Sequence, residues 1–203
     1  MAYTLAQIAH IETDFSEKFG IPRQSGLVEE LRARIVFEPE FRSPDAVRGL
    51  DGYDYIWLVW QFSTVVQAGQ DGTNWRPTVR PPRLGGNTRM GVFATRSMYR
   101  PAPVGLSVVQ LRKVEKNGKS VRVYVTGSDL LDGTPIVDIK PYIQYSDAVP
   151  DAQSAYAQDE PARKQVLWLA EAEQQKQALL KQYRLELRRQ RTMRSQDASA
   201  QGA

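Results

Sequence analysis

The sequence predicts a mainly β domain, a barrel or a sandwich, followed by a helical C-terminal segment. Three observations carry that prediction. Short runs of β-branched and aromatic residues recur through the first 150 residues, separated by Gly and Pro. Asn117-Gly118, the strongest short hairpin signal, stands directly before one of those runs. From Ala162 to Met193 there is no Gly or Pro, and Gln, Leu, Ala, Arg and Lys dominate, which is strong helix chemistry.

Taken in order, the stretch from Leu27 to Phe37 fits either a short helix (Leu27, Val28, Leu31, Ile35) or a strand. Tyr55 to Phe62 is an unbroken aromatic and β-branched run between Gly52 and Gly69, which reads as a buried strand. Val104 to Leu111 is a second strand, and Val121 to Thr126 alternates with period two, so one of its faces is wet. Residues 151–161 are small and polar and end at Pro161, as a linker would. Val166, Leu169, Leu180, Tyr183 and Leu187 form a partial apolar stripe on the helix beyond it. A frayed polar tail is expected from Arg194. The expected domains are therefore 1–150, the β domain, and 151–203, a linker with a basic helix.

Length and composition exclude several classes. The chain has 203 residues, 41% hydrophobic and 25% charged, a soluble globular mix. No run approaches the roughly 18–20 apolar residues of a membrane span, and Met1 to Leu5 has no signal-peptide character. With no cysteine, disulfides, thiolate catalysis and Cys-bound zinc are excluded; with one histidine, so is a multi-His site within one subunit. A cytoplasmic location is expected, and no membrane partner.

The net charge of +4 is unevenly spread. Residues 72–114 hold 8 basic residues and no acid, and seven of the eight are arginine: Arg76, Arg80, Arg83, Arg89, Arg96, Arg100 and Arg112. Residues 72–105 also hold five prolines and five glycines, so they read as stiff loops rather than helix. Arginine forks on rigid loops suit a phosphate or carboxylate, with RNA the favoured polyanion. Pairing with the acidic blocks across the fold is the plainer alternative. Gly85-Gly86-Asn87-Thr88-Arg89-Met90-Gly91 lacks both the Gly-Lys-Ser/Thr ending of a P-loop and the Gly-x-Gly-x-x-Gly spacing of a dinucleotide fold.

Asp138, Lys140 and Tyr142 alternate, so in an extended strand they share one face. A carboxylate, an ammonium and a phenol there serve either acid–base chemistry or a plain surface ion pair with a packed ring. His10, alone between apolar neighbours, reads as structural. Tyr53, Tyr55, Trp57 and Trp60 are candidates for base stacking or, more simply, for packing.

Several strings stand together in one order. They are Ile21-Pro22-Arg23-Gln24, Gly49-Leu50-Asp51-Gly52-Tyr53, Pro81-Pro82-Arg83-Leu84-Gly85-Gly86, Gly91-Val92-Phe93-Ala94-Thr95-Arg96-Ser97, Pro103-Val104-Gly105 and Asp132 through Tyr142. Over residues 5–160 they resemble the TsaA-like family. That resemblance implies a single-sheeted β-barrel that binds S-adenosylmethionine, and a homodimer. It further implies methylation of N6 of threonylcarbamoyladenosine at tRNA position 37, chiefly in threonine tRNA, with the anticodon stem-loop as partner. Carried over residue by residue, cofactor contact falls on Arg23, Gln24, Ser25, Ser63, Thr64, Arg96, Leu106, Thr126, Gly127, Ser128 and Asp129. Asp138, Lys140 and Tyr142 become the substrate-facing catalytic group. Arg76, Arg80, Arg83, Arg89 and the helical Arg184, Arg188, Arg189, Arg191 and Arg194 would grip phosphates. Ala102 stands where the family usually has Asn, which removes one polar contact. A non-catalytic RNA-binding barrel and a small-metabolite methyltransferase remain the alternatives.

Overall fold

A computed structural model describes residues 5–63, 75–118, 120–162, 169–179 and 181–182. The chain divides into two compact units, Met1–Gln153 and Ser154–Ala203. In the second, residues 170–179 are helical, and Glu173 accepts from Lys176 Nζ at 2.9 Å and from Gln177 Nε2 at 2.8 Å. These are the one-turn contacts that helical spacing provides.

The first unit is a closed six-stranded barrel. Its strands are β1 (Ala9–Glu12), β2 (Arg32–Phe37), β3 (Tyr55–Gln61), β6 (Val104–Asn117), β7 (Ser120–Thr126) and β8 (Pro135–Pro141). Around the barrel the order is β1-β2-β7-β6-β3-β8, and every ladder is antiparallel. Closure removes the free edges that an open sheet would expose. The closing pair, β1 with β8, is short: Ala9 faces Ile136 and His10 faces Pro135. The turn before β8 reinforces it, because Thr13 N–H donates to Asp132 Oδ1 at 2.9 Å and Gly133 N–H to the Ile11 carbonyl at 2.8 Å.

Alternation builds the interior. Ala9, Ile11, Ala33, Ile35, Phe37, Ile56, Leu58, Val109, Val121, Val123, Val125 and Ile136 point inward and are buried together. Branched aliphatics dominate because they fit a pleated surface at low rotamer cost. The outward neighbours are mostly polar on β2 and β7, as at Arg32, Arg34 and Arg122, but mostly aromatic or aliphatic on β3, as at Tyr55, Trp57 and Val59. That corrects the reading of Tyr55 to Phe62 as a wholly buried strand. Only Ile56 and Leu58 lie fully inside, and Tyr55 is 43% exposed. The ambiguous stretch from Leu27 resolves into turns up to Glu30 and a strand from Arg32, because β7 supplies a ladder partner. His10 lies on the outside of β1, its Nδ1 3.1 Å from Glu38 Oε1, and this contact holds the Glu38 carboxyl below its usual value.

β6 runs six residues beyond the predicted Leu111, with a bulge between Leu111 and Lys113, and turns at Gly118 (φ 57°) into β7. The charged end of the strand is sustained from outside, where Glu115 accepts from Lys113 Nζ at 2.7 Å and from Tyr124 Oη at 3.0 Å. The proline-rich segment is not wholly loop. β4 (Thr78–Val79) and β5 (Met90–Gly91) form a small hairpin whose long connection carries Arg80, Arg83 and Arg89.

Gly105 faces inward on β6, opposite Trp60. A methyl group there would sit 2.3 Å from the Trp60 ring. Gly105→Ala is therefore expected to destabilise the barrel by about 1–3 kcal/mol. Gly91→Ala, at φ −58° with open space around it, is expected to leave the melting temperature unchanged or slightly raised. Thermal unfolding of the two variants checks the contrast.

Candidate functional site

The inward row of β6 departs from the apolar rule twice, at Gly105 and Ser107. The absent side chain of Gly105 is the space the Trp60 indole occupies. Trp60 Nε1–H then donates to Ser107 Oγ at 3.0 Å. Ser107, only 1% exposed, donates in turn to Asp129 Oδ1 at 2.7 Å. A single buried hydroxyl so fixes both an aromatic ring and a carboxylate, and neither of its roles competes with the other. Phe62 closes against Trp60 edge-on, with centroids 4.3 Å apart.

Asp129 follows β7 in the segment Thr126-Gly127-Ser128-Asp129. Gly127 turns the chain there with φ 78°, its N–H bonded to the Leu31 carbonyl and its carbonyl accepting from Gly26 N–H, both at 2.9 Å. A Cβ on Gly127 would meet the Gly26 backbone at 3.5 Å, so the two loops approach through their glycines. This contact brings Ser25 beside Asp129, where its backbone bonds the carboxylate; among the described residues Arg23 makes no such contact. Ser128 is buried and its Oγ accepts from Leu130 N–H at 3.3 Å. Thr126 Oγ1 donates to Gln110 Oε1 at 3.3 Å.

The third contributor is Arg96. It follows a turn at Val92–Ala94 whose Thr95 hydroxyl donates to the Val92 carbonyl at 2.9 Å. Its Nη1 donates to Gln24 Oε1 at 2.5 Å, and its charge acts on Asp129. Burial nevertheless dominates and pushes the Asp129 carboxyl above its usual value, against the pull of Ser107 and Arg96.

Thus Gln24, Ser25, Arg96, Gly127, Ser128 and Asp129 come together. Ser63 lies just past β3, half-buried. Thr64 lies outside the described residues, as do Arg184, Arg188, Arg189, Arg191 and Arg194. Leu106 points away from Ser107, to the outer face, and is 53% exposed. Asp138 and Lys140 also lie on that outer face. Val59 pairs with Leu106 on one side and Asp138 on the other. Lys140 Nζ is 2.6 Å from Asp138 Oδ2, and Asp138 Oδ1 accepts from Ile139 N–H at 2.9 Å. Tyr142 packs against Tyr55 and Trp57, with centroids 6.2 and 5.9 Å away. Trp57 is held from the far side by Asp147, which accepts its indole N–H at 2.8 Å. The predicted trio therefore shares one face, as the alternation required. That face is opposite to the one Ser107 occupies.

Trp60 and Ser107 were not singled out for the cofactor cleft. The available signal was a polar residue, Ser107, at an inward position between Gly105 and Val109.

The first unit is thus a closed antiparallel β-barrel with a carboxylate, a guanidinium and an amide gathered at its rim. Residues 10–148 match the family model described as the tRNA-methyltransferase O N-terminal domain, and the chain belongs to that family. It is 44% identical over 183 residues to the tRNA (adenine(37)-N6)-methyltransferase of Escherichia coli, covering 90% of this chain and 76% of that protein. It is 46% identical over 172 residues to a putative S-adenosylmethionine-dependent methyltransferase of Pseudomonas aeruginosa, covering 85% and 68%. The crystal structure of TrmO from Pseudomonas aeruginosa superposes with a TM-score of 0.65 at 36% identity, over 80% of this chain and 66% of that one. The chain thus spans just under two thirds of that solved chain.

The raised Asp129 carboxyl has a stability consequence. Between the ordinary carboxylate value, about 3.9, and its own higher one, the folded state holds more protons than the unfolded. Stability therefore falls as pH rises through that window. Asp129→Asn removes this loss, so at neutral pH the variant is expected to melt at or above the wild-type temperature. The gap should close as pH falls through the carboxylate range, and melting curves from pH 4 to 8 test it.

Proposed function

We propose that the chain is an S-adenosylmethionine-dependent methyltransferase acting on N6 of threonylcarbamoyladenosine at tRNA position 37, with threonine tRNA as the principal substrate. The observation that carries this reading is the convergence of Asp129 and Arg96 at the rim of a barrel of this family. The donor set fits the amino-acid end of the cofactor. Asp129, poorly solvated and held by Ser107, suits an ammonium, whose charge would favour the ionised carboxylate. Arg96 offers a planar fork for a carboxylate. Arg23, Gln24, Ser25, Ser63, Thr64, Leu106 and the Thr126 to Ser128 turn complete the proposed contact set.

S-adenosylmethionine supplies an electrophilic methyl group. The protein's share of the work is positioning, electrostatics and a destination for one proton. The Ser107 bridge keeps Asp129 in one orientation, and the tight Gly26–Gly127 approach keeps Ser25 against it. Asp138 is the proposed acceptor of the N6 proton, with Lys140 Nζ 2.6 Å from its Oδ2. Tyr142 flanks it. Arg76, Arg80, Arg83 and Arg89 would neutralise phosphates of the anticodon stem-loop, so affinity should fall steeply with salt. The outer face of β3 and β6, with Tyr55, Trp57, Val59, Leu106 and Val108, is apolar enough to pair two copies, and a cytoplasmic homodimer is the proposed state. Among the described residues no helix is long and apolar enough to cross a membrane.

Transfer of tritiated methyl from labelled S-adenosylmethionine to bulk tRNA is the deciding experiment. Incorporation should require prior threonylcarbamoylation; absence of transfer to either tRNA would overturn the reading. Asp138→Asn should lower turnover by at least about 100-fold while calorimetry finds cofactor affinity unchanged. Equal turnover would remove Asp138 from the chemistry.

A further inference from the structure

Trp75 and Phe93 form an exposed aromatic pair that neither the barrel core nor the proposed cofactor cleft uses. Their ring centroids are 6.0 Å apart and the planes are tilted by 34°. Phe93 is 73% exposed and Trp75 41%. Phenylalanine has no polar atom to set against so much water contact, so its solvation is unfavourable until something covers it.

The pair is firmly mounted. Phe93 sits in the turn Val92–Ala94, anchored by Val92, which is 1% exposed. Val92 N–H donates to the Pro77 carbonyl at 2.9 Å, and just beyond it Thr78 pairs with Gly91. The two rings therefore stand at the open end of the β4–β5 hairpin, held by both of its strands. The segment that carries them is charged with one sign. Residues 72–114 carry no acid, Arg76 adjoins Trp75, and Arg80 and Arg89 lie on the hairpin connection. An apolar partner protein would meet this surface with no compensating charge, whereas a polyanion with flat apolar faces matches both features. The position matters as well. Arg96 is three residues beyond Phe93, a span of at most about 11 Å along an extended chain. The aromatic pair thus borders the proposed cleft.

We propose that Phe93, backed by Trp75, is a stacking platform for an unpaired RNA-loop base flanking the base to be methylated. The ring spacing is too small to admit a base between the two, so the base lies on the open side of Phe93, with Arg76 and Arg89 at the adjoining phosphates. The platform rests on the tRNA methyltransferase reading and adds the loop-binding subsite to it.

The test uses the full chain and a 17-nucleotide anticodon stem-loop carrying threonylcarbamoyladenosine. Phe93→Ala and Trp75→Ala should each weaken stem-loop binding, Phe93→Ala by about 5- to 150-fold. S-adenosylmethionine affinity should be unchanged, and Phe93→Trp should restore RNA binding. An abasic residue moved through the loop should weaken wild-type binding at one position next to the target and leave Phe93→Ala indifferent there. If wild type binds and methylates the stem-loop while Phe93→Ala and Trp75→Ala match it in Kd and KM, the platform is overturned and the methyltransferase reading stands. If wild type neither binds nor methylates the stem-loop, both fall.

Discussion

The rim of this barrel is organised by what β6 leaves out. At two successive inward positions, Gly105 and Ser107, the strand gives up apolar volume that every neighbouring strand supplies. Emptied space in a barrel interior costs stability unless something fills it. Trp60 fills it from β3, but an indole brings an N–H that also needs an acceptor. Ser107 is that acceptor, and its own hydroxyl hydrogen is donated to Asp129. Packing and polarity are thus solved by one arrangement. It fixes a carboxylate at the rim through a chain of contacts that begins in the core. The loops holding Gln24, Ser25 and Arg96 converge on that fixed carboxylate.

A carboxylate placed there is expensive to ionise. Its neighbours, Ser107 and Arg96, offset only part of the lost hydration. Barrels of this size do not keep such a group for stability, since an apolar or amide side chain would serve better. A cationic ligand group would supply the missing interaction. The same logic applies to the hairpin of β4 and β5. A solvent-exposed phenylalanine stands there on a segment rich in arginine and without acid. A partner with flat apolar faces and negative charge would satisfy both features.

Legibility in the sequence followed the range of the interactions. The hairpin at Asn117-Gly118 was readable because its cause is local, a glycine with positive φ between two strands. The stretch from Leu27 was not, because Leu27, Leu31 and Ile35 satisfy helical spacing and only the distant β7 makes Arg32–Phe37 a strand. Tyr55 to Phe62 looked buried on both faces because the outer face of β3 is itself aromatic, and no pattern in the chain distinguishes an apolar outside from an inside. The cleft was partly visible. Arg96, Gln24 and Asp129 were legible through the family's motifs, but the link among them depends on Ser107, whose meaning appears only once the register puts it inside.

Register also constrains how the two proposed groups can cooperate. Successive residues of β6 point to opposite sides, so Leu106 lies in the outer row with Val59 and Asp138, while Ser107 bonds Asp129 from within. Within one copy, the thickness of a single sheet separates the groove that would hold the donor from the carboxylate that would take the proton. The nitrogen that would take the methyl group is the one that would lose the proton, so donor and acceptor must meet at a single atom, at the rim where β3, β6 and β8 end. That requirement makes the outer trio the part of the proposed site most sensitive to how the substrate is held.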